Sequence, residues 1–314
     1  MLTRHSHLLH PKTFCMTACV ALALGCAEAV VSLQYPTHPQ SVPAVSRLLS
    51  EDPLLQKEGR VEVLSLGEGA TPELLRKMKD ASPESRITIV EVATQIGKPP
   101  AVVGLIYDVA VRDTHVQVRQ STAFQGARAP QLAPSIIPPL RRLLSDPVPE
   151  VRAAAMTTLG GFKVESALSS EEITTAMRES NPLISATAAS IALSRNDTSY
   201  SSELRRALPR LVVNLKDPKP ATRAAVISAI GMYGEVAAPT VAPLSSVAAR
   251  DPVPALRIKA AIALTRIGTP EANAAAQQTF EAFATSEDPA LKAVAEGYLN
   301  RNGVAPEQTA PQAK

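Results

Sequence analysis

The chain has 314 residues, of which 45% are hydrophobic and 19% charged, with a formal net charge of +3. Aromatic residues make up only 3% and tryptophan is missing, so alanine and aliphatic side chains must supply the core; the 27 prolines must fall at joints rather than inside elements. No apolar run reaches the roughly 18 residues that a spanning helix needs, and a charge so near neutral gives no electrostatic reason to expect a nucleic-acid partner.

Residues 1–29 read as an export signal. Arg4 and Lys12 carry positive charge ahead of an apolar stretch, Phe14 to Leu24, and no acid precedes Glu28. Two processing routes are open. In one, Ala23-Leu24-Gly25-Cys26 resembles a bacterial lipoprotein box and Cys26 is the lipid anchor, although Ala23 and Leu24 depart from the pattern's branched-then-small order. In the other, Ala27-Glu28-Ala29 is the cleavage site. The three cysteines, Cys15, Cys19 and Cys26, all lie in this segment, so the mature array is expected to hold neither a disulfide nor a thiol nucleophile. Removing residues 1–26 takes Arg4 and Lys12 and no acid, leaving 30 basic against 29 acidic groups, a net of +1.

Residues 30–40, with Pro36 and Pro39, read as a linker, and Ser41 to Gly69 as an irregular first unit. Gly59 falls inside the second helix of that unit, where it is expected to cost about 1 kcal/mol relative to alanine. From there a phrase repeats. A turn acid or amide recurs at Asp80, Asp113, Asp146, Asn181, Asp217, Asp251 and Asp288, at intervals of 33, 33, 35, 36, 34 and 37 residues, with Asp52 as an earlier copy. Proline follows directly at Pro53, Pro147, Pro182, Pro218, Pro252 and Pro289, and a proline stands three residues after the acid at Pro83, Pro149, Pro220 and Pro254. An Asx–Pro pair starts a turn, and proline suits the first helical position, where no amide bond is lost. Six residues after the acid stands an arginine at Arg86, Arg119, Arg152, Arg223 and Arg257; Thr187 and Val294 break the series.

Apolar residues then recur at helical spacing, as in Ile89, Val90, Ala93 and Ile96, or Ala260, Ala261, Leu264 and Ile267. Glycine is expected to stop these helices at Gly97, Gly160, Gly231 or Gly234, and Gly268. The stretch before each acid is also helical, so one unit is helix, turn, helix. Such a pair cannot bury its apolar faces alone, and neighbours must stack. The unit around Asn181 is the exception, and Ser169-Ser170-Glu171-Glu172 opens its first helix with a capping residue. Residues 303–314 are small and polar and read as a disordered tail.

The phrase Asp-Pro-x-x-x-Val-Arg-x-x-Ala followed by Leu-Gly resembles the second helix of a HEAT repeat, including the short bacterial HEAT-like repeats associated with phycobilin lyases. The likeness is best over 146–160, 217–234 and 251–268 and extends over 41–302. It implies an all-α fold, an armadillo-like α-solenoid of seven to eight stacked antiparallel helix pairs. It also implies two functional alternatives: a non-enzymatic interaction scaffold, or an enzyme or chromophore-handling factor like the lyase-associated repeats.

The turn acids and arginines read as structural joints, since guanidinium makes planar contacts with carboxylates and carbonyls. The competing reading is an arginine-lined groove for phosphates or acids. Little else carries chemistry. His5, His7 and His10 lie in the signal, His38 in the linker, and His115 alone in the array, at a turn. Iron-binding HEAT hydroxylases carry His-Glu pairs, and this sequence has none. Glu51-Asp52, Glu171-Glu172 and Glu287-Asp288 sit at helix starts or turns, and Arg141-Arg142 and Arg205-Arg206 lack the interleaved aromatics of a stacking platform. The sequence therefore predicts no catalytic, cofactor or metal site. It predicts a monomeric scaffold for a protein or peptide partner, periplasmic or tethered to the membrane only through Cys26, with no nucleic acid bound.

Overall fold

The computed structural model describes residues 35 and 37–301. The signal of residues 1–29 with Cys26, most of the linker and the tail of 303–314 lie outside the described residues. The described chain carries sixteen α-helices and, among these residues, no strand. It falls into two compact units that divide between Leu143 and Leu144.

Unit 1 holds α1 (Ser41–Leu48), α2 (Pro53–Leu66), α3 (Thr71–Lys77), α4 (Pro83–Ile96), α5 (Pro100–Ala110), α6 (Val116–Gly126) and α7 (Ala133–Arg142). The odd helices pack side by side as one layer and the even helices as another, each even helix lying against the odd helix before it. Unit 2 holds α8 (Pro149–Gly161), α9 (Ser170–Arg178), α10 (Pro182–Arg195), α11 (Ser201–Val213), α12 (Pro220–Met232), α13 (Val241–Arg250), α14 (Pro254–Ile267), α15 (Pro270–Ala284) and α16 (Pro289–Arg301). Here α8, α10, α12, α14 and α16 stack in sequence, and α9 against α11 and α13 against α15 form the other side.

Local chemistry sets the helix starts. Proline occupies the first turn of α2, α4, α5, α8, α10, α12, α14 and α15, where its missing N–H has no intrahelical partner to lose, but not every proline marks a joint: Pro138 and Pro139 stand inside α7 and Pro209 inside α11. Side-chain oxygens satisfy the next amides. Asp52 accepts from Leu54 N at 2.8 Å, Asn181 from Leu183 N at 3.0 Å, and Ser169 and Glu172 form a reciprocal capping box.

The buried faces are those that the spacing marks. Ile89, Val90 and Ala93 of α4, Val226, Ile227 and Ile230 of α12, and Ala260, Ala261 and Leu264 of α14 are fully enclosed, whereas Ile96 is half-buried. Unit 2 is built on small side chains: Ala186, Ala188 and Ala189 of α10 and Ala260, Ala261 and Ala263 of α14 let neighbouring backbones approach closely.

The expected glycine stops divide into two kinds. Gly97 and Gly268 end α4 and α14 in the left-handed region, at φ 68° and 77°, and Gly234, the alternative to Gly231, is left-handed at φ 57° two residues past the end of α12. Gly160 and Gly231 do not end their helices. Both lie within them, at the crossing with the next even helix: a Cβ on Gly231 would come 2.8 Å from Ala263 Cα, and one on Gly160 would come 2.9 Å from Ile191 Cγ2. Their role is close approach, and α8 and α12 run on to Gly161 and Met232.

Candidate functional site

The repeated turn is the feature with the densest chemistry. Asp113, Asp146, Asn181, Asp217, Asp251 and Asp288 each sit between the two helices of a repeat and accept from the backbone N–H two residues on, at 2.8–3.0 Å. This Asx geometry holds the turn open ahead of the next helix, which proline starts after each of these residues except Asp113. At Asp80 the work passes to Ser82, whose Oγ accepts from Ser85 N at 3.2 Å, and Asp80 lies exposed in the turn.

The arginines six residues on reach back into the same turn. Arg119 Nη1 donates to Asp113 O at 2.8 Å, Arg152 Nη1 to Asp146 O at 2.9 Å, Arg223 Nη1 to Asp217 O at 2.8 Å, and Arg86 Nη1 to Ala81 O. Two of them also clamp the acid of the following repeat. In unit 1, Arg86 grips Asp113 through Nε at 2.5 Å and Nη2 at 3.0 Å. In unit 2, Arg223 grips Asp251 through Nε at 2.8 Å and Nη2 at 2.9 Å, with only 8% and 3% of the two side chains exposed. The planar fork matches the carboxylate in both places.

Elsewhere the pairing changes. Arg152 meets Glu179 at 3.5 Å, because the next turn carries Asn181 instead of an acid. Arg257 donates to Ala248 O at 3.2 Å and lies over the Phe283 ring, 4.9 Å from its centroid. Thr187, at the arginine position of the Asn181 repeat, bonds only the Leu183 carbonyl of its own helix, at 2.8 Å. Across that repeat Lys219 reaches Glu150 at 3.2 Å.

Electrostatics follow from these contacts. Burial pushes the Asp251 carboxyl up, but the Arg223 guanidinium and the Val253 N–H outweigh it and hold the group below the usual carboxylate range. Asp113 is held low in the same way, by Arg86 and the His115 N–H acting against burial. His115 itself is half-exposed, with Nδ1 3.1 Å from Thr114 Oγ1 and 3.2 Å from Arg86 Nη2. Among the described residues no group of three or more His, Cys, Asp or Glu is placed to hold a metal ion.

Several contacts had no signal in the repeat phase. Tyr107 OH lies 2.9 Å from Thr94 Oγ1, between α5 and α4, and burial pushes the phenol up to about 12 against that hydrogen bond. Glu203 of α11, almost fully buried, is bridged by Arg178 at 2.7 Å and Arg206 at 2.9 Å. Arg60 of α2 reaches Glu91 of α4 at 2.7 Å.

The even helices of unit 2 keep one side open. Thr157 on α8, Ser190 and Ser194 on α10, Ala225, Ser228 and Met232 on α12, and Lys259, Ile262 and Arg266 on α14 recur at helical spacing with partial or full exposure. Lys259 Nζ reaches Ser228 Oγ at 3.3 Å, which places the α12 and α14 portions of this surface side by side.

Comparison with known proteins agrees with this repeat geometry. A family model described as HEAT repeats matches residues 208–300, and a model described as HEAT repeat matches 136–162. No curated protein matches the chain. A solved structure of human deoxyhypusine hydroxylase in complex with glycerol is similar over 85% of this chain and 96% of that one, with 17% identity and a TM-score of 0.36, a level that carries no argument about activity. The clamped turns, the stacked even helices and the two model matches lead to one statement: this chain carries HEAT repeats over 136–162 and 208–300 and is built of stacked helical repeats.

Proposed function

We propose that the chain is a non-enzymatic protein–protein interaction scaffold of the bacterial cell envelope, binding a protein or peptide partner along an extended surface. The observation that carries this reading is the open side of the stacked even helices in unit 2, where Ser190, Ser228 and Ile262 and their neighbours offer many small contacts on consecutive helices. Repeat stacking makes such surfaces long, and a long surface suits distributed contacts with another chain better than a single enclosed reaction. The Arg86–Asp113 and Arg223–Asp251 pairs support it as well, because in each the carboxylate and guanidinium are spent on one another at a joint.

The experiment is a substitution series. Ser190→Arg, Ser228→Arg and Ile262→Arg, each on a different even helix, are expected to weaken capture of an envelope partner by modest, cumulative steps with helicity intact. Complete loss from one substitution, with no effect from the others, would point to a discrete active site and to the enzymatic or chromophore-handling alternative.

The envelope address rests on the N-terminal sequence. If Cys26 is the lipid anchor, bacterial lipidation adds several acyl chains and gives stable attachment. Cys26→Ser is then expected to release the protein from membranes or block its processing. Unchanged retention and processing would remove the anchor from the reading.

A further inference from the structure

Two clefts of the same construction lie at the turn edges, one in each unit. In unit 1 a cleft of about 360 Å³ sits above the Arg86–Asp113 pair, lined by Lys79, Asp108 and Arg112. In unit 2 a larger cleft of about 610 Å³ sits above the Arg223–Asp251 pair, between the repeat of α11 and α12 and that of α13 and α14. Its cations are Lys216 and Arg250, each the residue immediately before a turn acid, as Lys79 and Arg112 are in unit 1.

The two clefts differ in how those cations are used. In unit 1 Arg112 is held by Asp108 at 3.0 Å, Asp108 is bonded further by Arg142, and Lys79 is also engaged. The position equivalent to Asp108, five residues before the turn acid, is Ser246 in unit 2, and the position equivalent to Arg142 is Ala284. Arg250 therefore has no carboxylate four residues before it on its own helix. Lys216 and Arg250 are both exposed, and neither side chain makes a hydrogen bond or ion pair with the described residues. Of the acids of the cleft, Asp251 is held by the Arg223 fork and the Val253 N–H, and Asp217 accepts the Lys219 N–H through Oδ1; the three cations Lys216, Arg223 and Arg250 outnumber these two acids. The walls between the cations are aliphatic, from Val212, Leu215, Pro243 and Val247.

We propose that this cleft docks an acidic segment of a partner protein. A carboxylate side chain sits between Lys216 and Arg250, and an aliphatic neighbour packs on Val212, Leu215 and Val247. Charge complementarity selects the acid, and the apolar walls select a peptide over a bare anion, because a free phosphate would leave them wet. The inference rests on the protein-binding reading but uses the turn edge of unit 2 instead of the open side of its even helices.

The test is fluorescence anisotropy on the full chain with a short dye-labelled peptide of alternating leucine and glutamate. Its glutamine twin and inorganic phosphate serve as competitors. Binding is expected for the acidic peptide and to weaken with salt. Lys216→Gln and Arg250→Gln are each expected to lower affinity about threefold, and together about tenfold. Lys57→Gln, an exposed lysine on α2, is the control and should change nothing. Circular dichroism melts of all three single variants should superimpose on the parent. Equal binding of the glutamine twin, indifference to both cleft substitutions, or full displacement by phosphate at an equal concentration would each overturn the proposal. Loss of peptide binding in Ser190→Arg or Ser228→Arg with Lys216→Gln and Arg250→Gln unaffected would move the contact to the even helices, leaving the scaffold reading intact and the cleft refuted.

Discussion

Gly59 is a glycine in the interior of α2, and replacing it with alanine sets two effects against each other. Helix propensity favours alanine by about 1 kcal/mol. Packing opposes it. A Cβ at this position would lie 2.1 Å from Leu48 N, 2.6 Å from Arg47 C and 2.8 Å from Arg47 Cβ. Two of these atoms belong to the α1 backbone, so no rotamer change relieves the contact. Ordinary van der Waals contact starts at 3.4 Å, so α1 must withdraw by about 1.3 Å, opening the seam where Ala44, Val45, Leu48 and Val63 are enclosed. Overpacking typically costs about 1–3 kcal/mol, and a rigid backbone neighbour puts this site at the upper end. The net expectation for Gly59→Ala is a loss of about 2 kcal/mol, confined to the first repeat because repeats contact mainly their neighbours. Hydrogen exchange of the α1 and α2 amides in the full chain measures it. Gly297→Ala in α16 is the matched control: a Cβ there meets nothing within 4 Å, and alanine should stabilise by about 0.5–1 kcal/mol. Equal or slower exchange of α1 in Gly59→Ala would refute the packing argument and return the position to simple propensity.

Arg223→Ala is expected to cost about 3–5 kcal/mol, because it strands the nearly buried Asp251 carboxylate as well as the Asp217 carbonyl. Arg152→Ala should cost less, about 1–2 kcal/mol, since its carboxylate partner Glu179 is 3.5 Å away and exposed; denaturant melts that rank the two the other way would contradict the joint geometry. Asp251 and Asp113 are held below the ordinary carboxylate range in the folded chain. Their contribution is therefore present above the unfolded pKa of about 3.9 and is lost as pH falls through the lower folded values. Acid melts should show a steep loss of stability below about pH 4 that Asp251→Asn flattens. Tyr107 is expected to resist ionisation until about pH 12, read by ultraviolet difference titration of wild type against Tyr107→Phe.

The turn phase, the prolines at helix starts and the Asx caps were legible in the chain alone because each is a local matter. A cap bonds an amide two or three residues away, as Asp251 does with Val253 N and Asn181 with Leu183 N and Ile184 N, and proline acts through its own φ. Apolar spacing is equally local, so the buried faces of α4, α12 and α14 could be read before their neighbours were known.

What Gly59, Gly160 and Gly231 do, and where each arginine sends its second nitrogen, depends on a helix 9 to 32 residues away, and no local rule reaches that far. Gly160 looked like a stop because glycine commonly ends helices, yet Ile191 of the next even helix is what requires it. Arg86 and Arg223 clamp the next acid, whereas Arg257, with the same spacing, turns to Phe283. The two clefts share a sequence phrase and differ in a local pair, Asp108 four residues before Arg112 against Ser246 before Arg250, but that Asp108 is also gripped by Arg142 of the next odd helix is a contact only the fold brings about. Sequence alone determined the repeat and its period, since those are set by bonds within a turn. The tertiary structure alone decided which side chains the stacked neighbours consume, since that is set by which backbones come within a few ångströms of each other.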